Sequence, residues 1–158
     1  MTTVQRQCAA PATAVWEVLA DPWLYASWVV GASRIRAVDG RWPWEGALIH
    51  HSVGIWPMLL NDSTSVVSST PPRELVLQAR GRPLGEARVV MRLAETSGGC
   101  TITMEEDAVA GPGKLLPGPV QDVVIGGRNR EALRRLALIA EGRHHGVAPD
   151  QDPGSSSA

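Results

Sequence analysis

The sequence is short of several residue types, and each shortage excludes a class of protein. It has two cysteines, Cys8 and Cys100, in 158 residues. They are too few and too far apart for a disulfide-stabilised scaffold or a cysteine metal site, so we expect two reduced, buried thiols. Phenylalanine is absent, and the six tryptophans therefore supply most of the large aromatic side chains.

Charge and long apolar runs are also scarce. The 15 basic and 16 acidic residues give a formal net charge of -1. Without a long basic run, we expect neither nucleic acid nor an anionic membrane surface as a partner. No apolar run reaches membrane-spanning length, and Met1 is not followed by the basic-then-apolar pattern of a secretion signal. We therefore expect a cytoplasmic protein without membrane insertion.

The N-terminal part of the chain predicts one strand followed by two short helices. Residues 3–9 alternate as a strand does. Asp21 is a suitable N-cap for the second helix, with Pro22 at its first position, and that helix should end between residues 28 and 31. The first helix opens at Pro11, and its one apolar face is formed by Ala12, Val15, Trp16 and Leu19.

Beyond this region the pattern changes to strands separated by turn residues. The short connections favour antiparallel hairpins. Leu75, Leu77 and Met91 share one face of two neighbouring strands, whereas mainly polar side chains occupy the other, so one face of the sheet covers a core. The predicted strands cover residues 33–39, 46–53, 60–69, 74–80, 86–93 and 100–108.

A long helix follows the last strand. Pro119 can open it, and we expect its end near Arg143. Gly126 and Gly127 interrupt its apolar face, which predicts a bend or a restart. Either close packing on the sheet or a hinge at a cavity would explain the two glycines. Residues 1–143 are thus predicted to form one domain, and residues 144–158 a disordered polar tail.

The order β-α-α-β-β-β-β-β-β-α resembles the START/Bet v 1-like (SRPBCC) superfamily, in particular its bacterial polyketide cyclase/dehydrase-like members. The likeness covers about residues 3–143, and its motifs are Ala10-Pro11, Val15-Trp16, Leu19-Ala20-Asp21-Pro22, Trp28, Gly111-Pro112 and residues 128–136. It implies an α+β helix-grip fold, in which a curved seven-stranded antiparallel sheet wraps around the C-terminal helix and leaves an apolar cavity. Members bind lipids, sterols, polyketides or plant hormones, and some catalyse cyclisation or dehydration.

Two side chains are candidates for acid–base catalysis. Strand alternation points His51 and Glu106 towards the inner face of the sheet. A carboxyl group in apolar surroundings has a raised pKa, and histidine titrates near neutrality, so the two could move protons on an enolisable carbonyl compound. Alternatively, Glu106 is hydrated or paired with an arginine such as Arg34 or Arg36, and His51 is satisfied by a hydrogen bond or orients a ligand.

Neither a metal nor a cofactor is expected. His50 is adjacent to His51 in a strand, so the two imidazoles face opposite sides of the sheet and cannot converge on one ion. The sequence also has no glycine-rich phosphate loop, no Ser-His-Asp arrangement and no CxxC motif.

The expected cavity has aromatic and aliphatic walls. In the fold that the resemblance implies, Tyr25, Trp28 and Trp56 lie at cavity walls and entrance loops, and the loop at residues 111–118 lines the mouth. Trp28 and Trp56 could instead fill the core. The full set of candidate ligand-binding residues is Tyr25, Trp28, His51, Trp56, Leu77, Met91, Met104, Glu106 and Leu133.

Three functions remain open at this point. We rank first the binding of a hydrophobic small molecule that is lipid-, polyketide- or aromatic-like. The second is a polyketide cyclase or dehydratase-type enzyme that uses His51 and Glu106. The third is an interaction protein whose cavity is filled by its own side chains. A homodimer is compatible with each of them.

Overall fold

The structure is a computed structural model that describes residues 1–55, 58–81, 85–111 and 117–146. Its elements follow the predicted order. They are β1 (Thr2–Cys8), α1 (Ala12–Ala20), a 3-10 helix (Pro22–Leu24), α2 (Tyr25–Trp28), β2 (Ala32–Val38), β3 (Leu48–Ile55), β4 (Met58–Thr70), β5 (Glu74–Gly81), β6 (Gly85–Thr96), β7 (Gly99–Ala110) and α3 (Gly118–Gly146). The predicted α+β helix-grip architecture is confirmed.

One antiparallel sheet contains the seven strands of the described ranges, in the order β1-β7-β6-β5-β4-β3-β2. Each strand from β2 to β7 pairs with the next along the chain, and β1 joins the outer side of β7. Register shifts interrupt the pairing of β2 with β3, β4 with β5 and β6 with β7. Irregularities of this kind bend a strand, which allows the sheet to curve around α3.

The segment after α1 positions two aromatic side chains over the inner face of the sheet. The Asp21 carboxylate accepts a hydrogen bond from the backbone N–H of Trp23 at 3.0 Å and caps the 3-10 helix, as predicted. That helix continues directly into α2, in which Tyr25 and Trp28 are buried. Their rings meet edge to face with centroids 5.5 Å apart, so each ring restrains the other.

Helix α3 runs without interruption from Gly118 to Gly146 and does not restart at Gly126 and Gly127. Gly126 is buried against Thr2 of β1, but a Cβ there would make only an ordinary van der Waals contact, 3.5 Å from Cγ2 of Thr2, so the packing of α3 on β1 does not require a glycine. The helix ends three residues beyond the predicted Arg143. The rest of the predicted tail, residues 147–158, lies outside the described residues.

The core lies between the sheet, α1 and the C-terminal half of α3. Leu133, Leu136, Ala137 and Ala140 of α3 are fully buried in it. Cys8 and Cys100 lie opposite each other in the pairing of β1 with β7, and both are buried and unbridged, as expected. Burial raises the pKa of Cys100 to about 12, which keeps it in the thiol form.

We expect Leu136→Ala to lower the free energy of unfolding by about 2–5 kcal/mol, because the removed atoms leave a cavity in a close-packed region. Leu138→Ala is the matched control, since Leu138 is on the same helix but 49% exposed, and its cost should stay below about 1 kcal/mol. Urea denaturation of both variants measures the difference. Equal losses would contradict this description of the core.

Candidate functional site

A cavity of about 230 Å³ lies between the inner face of the sheet, α2 and the N-terminal half of α3. Its walls are mostly aliphatic and aromatic, as an apolar ligand requires. Small side chains leave this space open, among them Ala79, Ala87, Ala108 and Ala132. Val124 of α3 also lines the cavity and is 63% exposed, so the cavity reaches the surface beside this helix.

Most of the predicted ligand-binding residues line this cavity, namely Tyr25, Trp28, His51, Leu77, Met104 and Glu106. Met91 and Leu133 do not belong to its described lining and are fully buried in the core. Met91 is the cross-strand partner of lining residue Met104, and Leu133 follows lining residue Ala132 on α3, so both are next to the cavity without bordering it. Trp56 and residues 112–116 of the predicted entrance loop lie outside the described residues.

Three buried side chains form a continuous hydrogen-bonded chain beside the cavity. Oγ1 of Thr64 lies 2.9 Å from the hydroxyl of Tyr25 and 3.0 Å from Nε2 of His51. The Tyr25 and His51 rings are 5.3 Å apart at their centroids, with an interplanar angle of 32°. Within the described residues, Nδ1 of His51 is buried without a hydrogen-bond partner. The hydrogen-bonding capacity of this buried nitrogen is therefore unused among the described residues.

Burial determines the protonation of this Tyr25–Thr64–His51 chain. It lowers the pKa of His51 from the ordinary value of 6.5, and the nearby Asp62 carboxylate opposes that effect in part. It also raises the pKa of Tyr25 to about 12. At neutral pH the chain therefore consists of an uncharged imidazole, a hydroxyl and a protonated phenol, which can donate or accept hydrogen bonds without carrying charge.

Glu106 lies in a second polar group, on the other side of the cavity. Its Oε2 accepts hydrogen bonds from the guanidinium of Arg128 and from Nδ2 of Asn129, the latter at 2.9 Å. Glu106 and Asn129 are buried, whereas the side chain of Arg128 is 43% exposed. Together the three side chains join β7 to α3.

Glu106 does pair with an arginine, but that arginine is Arg128 and neither of the two suggested by the sequence, Arg34 and Arg36. Both arginines belong to β2, which is at the opposite end of the strand order from β1 and β7, whereas α3 crosses the inner face beside β7. Arg36 instead donates hydrogen bonds to the backbone carbonyl oxygens of His51 and Asp62.

Thr64, Arg128 and Asn129 are the polar site residues that sequence reasoning missed. Asn129 precedes Ala132, Leu133 and Leu136 at helical spacing, so a polar residue on an apolar face was the available signal. Thr64 shares the buried face of β4 with Asp62 and Val66, as strand alternation allows. Arg128 is half exposed, and no periodicity in the sequence distinguishes it.

Metal and membrane sites find no support in the described ranges. Histidine, cysteine and carboxylate side chains do not gather there in groups of three or more that could hold an ion. Among the described residues, none of the helices has both the length and the hydropathy that crossing a membrane requires.

Comparison with known proteins supports the architecture. Residues 1–141 match the family model described as polyketide cyclase / dehydrase and lipid transport. A solved protein of Nitrosomonas europaea is 19% identical, with 89% of this chain and 94% of that chain covered and a TM-score of 0.68. A solved protein of Rhodobacter sphaeroides is 24% identical, with 87% of this chain and 89% of that chain covered and a TM-score of 0.67.

A third solved structure is the di-domain ARO/CYC protein StfQ from the steffimycin biosynthetic pathway. It is 13% identical, with 90% of this chain and 51% of that chain covered and a TM-score of 0.70. At identities this low the three structures show a shared fold alone. A search of curated proteins found no match to the sequence.

His51 should make stability depend on pH in a defined direction. Because the pKa of His51 in the folded protein lies below the ordinary 6.5, the unfolded chain binds a proton at this side chain more readily than the folded protein does as the pH falls through 6.5. This preferential protonation of the unfolded chain destabilises the folded wild type at acidic pH, and the effect vanishes above pH 6.5. In urea denaturation at a series of pH values, His51→Gln should gain stability relative to the wild type as the pH falls. A constant difference would contradict the lowered pKa.

The Glu106–Arg128–Asn129 group should contribute to stability. Arg128→Met leaves the buried carboxylate without its cation and should cost about 1–3 kcal/mol, less than for a fully buried pair because water reaches the arginine. Arg134→Met is the matched control on the same helix, since Arg134 pairs with Glu131 at the surface at 3.6 Å. Its cost should be about 0–1 kcal/mol by urea denaturation. Equal losses in the free energy of unfolding would contradict a larger contribution from the Glu106–Arg128 pair than from a surface ion pair.

Proposed function

The chain belongs to the polyketide cyclase/dehydrase and lipid-transport family, and from this premise we propose that it binds a hydrophobic small molecule between its sheet and α3. The observation that carries the proposal is the cavity of about 230 Å³ with its mostly apolar walls. Transfer of an apolar ligand out of water into such a space supplies affinity at roughly 25 cal/mol per Å² buried. The two polar groups at its sides would orient the ligand.

An enzymatic role is the second candidate. His51 favours it, because its imidazole lines the cavity, is neutral at neutral pH and is held in position by Thr64 through Nε2, as a general base requires. Such a base would remove a proton from carbon next to a carbonyl group of a bound ligand. Glu106 fits less well, since Arg128 and Asn129 occupy its Oε2. The name of StfQ, an ARO/CYC protein of a biosynthetic pathway, also supports this candidate.

The third candidate, an interaction protein with a filled cavity, receives less support. Trp28 lines the cavity but leaves it open, and the small side chains of lining alanines on four strands and on α3 preserve its volume. An unfilled apolar space costs stability, so its presence is better explained by a ligand than by packing alone.

Binding can be tested with fatty acids, sterols and aromatic polyketides, using tryptophan fluorescence and thermal shift. We expect a saturable change with at least one compound class, and Ala108→Phe should weaken it about tenfold or more because the new ring occupies ligand space. Ala94→Phe is the matched control, since Ala94 is exposed on β6. Unchanged ligand binding by Ala108→Phe would contradict the assignment of this cavity as the binding site.

The enzymatic candidate has its own test. Turnover of a bound compound that is lost in His51→Gln, with binding retained, would establish this second candidate.

A further inference from the structure

We propose that the cavity selects a neutral apolar molecule bearing a hydroxyl or carbonyl group over the corresponding carboxylate, and that the Tyr25–Thr64–His51 chain recognises that oxygen. The inference rests on the proposed function and deepens it by naming the class of ligand. Its two supports are the geometry of the hydrogen-bonded chain and the pairing of charges around the cavity.

The chain can present either a donor or an acceptor. Tyr25 and His51 both line the cavity, and fully buried Thr64 joins them through a single oxygen. If Thr64 donates to Nε2 of His51, it accepts from Tyr25, whose oxygen keeps its lone pairs for a ligand hydroxyl. If Nε2 donates to Thr64, the threonine proton goes to Tyr25, whose own O–H is then available to a carbonyl oxygen.

The cations of the described lining are already neutralised. Arg128 pairs with Glu106, and Arg80 pairs with Glu86 at 3.3 Å, and all four residues line the cavity. With His51 uncharged, these lining residues carry no net charge. A ligand carboxylate would therefore enter an apolar space in which the described lining residues offer no free cation to compensate for the water that it loses.

The test compares three probes with the same ring system: 2-naphthol, 2-acetylnaphthalene and the 2-naphthoate anion. Isothermal titration at neutral pH should show that the wild type binds both neutral probes about tenfold or more tightly than 2-naphthoate. Tyr25→Phe and Thr64→Val should each weaken 2-naphthol binding about five- to tenfold and leave 2-naphthoate nearly unchanged, so the selectivity falls. Thr64→Ser keeps the hydroxyl and should therefore keep the affinity for 2-naphthol and the selectivity of the wild type.

Thr101→Val is the matched control, because Thr101 is on β7, outside the described cavity lining, and donates to Gln7. It should leave all three affinities unchanged. Equal or tighter binding of 2-naphthoate by the wild type would overturn the inference, as would Thr64→Val weakening all three probes alike. If none of these probes binds but a compound of the broader panel does, the inference fails and the proposed function stands. If nothing binds, both fail.

Discussion

The cavity depends on the hydrogen bonds by which Glu106 of β7 holds Arg128 and Asn129 of α3. The N-terminal half of this helix borders the cavity, and two of its apolar side chains, Val123 and Val124, are exposed. A polar connection holds the helix there without filling the space beneath it. Because a buried carboxylate is costly without partners, the same need that positions Glu106 also fixes the position of the helix.

Stability and ligand access are thus separated along one helix. Towards its C-terminus, Leu133 and Leu136 pack with α1 and the sheet in a closed core. Towards its N-terminus, Ala132 and Asn129 border the cavity. An unfilled space costs stability in proportion to its size, and the closed half of the helix offsets that cost. A ligand in the cavity would add apolar contacts where the protein itself makes few.

The described polar side chains of the cavity offer a ligand hydrogen bonds but no unpaired charge. Its described cations are paired, and burial keeps His51 and Tyr25 uncharged at neutral pH. What remains for a ligand is hydrogen bonding through the Tyr25–Thr64–His51 chain. The same chain would orient a bound molecule in a carrier or hold a base in position in an enzyme, which is why the two leading functional candidates share one site.

The sequence by itself determined the order of the elements, the Asp21 cap and the burial of His51 and Glu106, because these follow from local spacing along one strand or helix. Only the tertiary structure decided which distant residues meet. Thr64 is 13 positions from His51 and 39 from Tyr25, and periodicity carries no information about such pairings. The tertiary structure also decided which inner-face side chains reach the cavity: Met104 and Met91 are cross-strand partners, but only Met104 belongs to the described cavity lining.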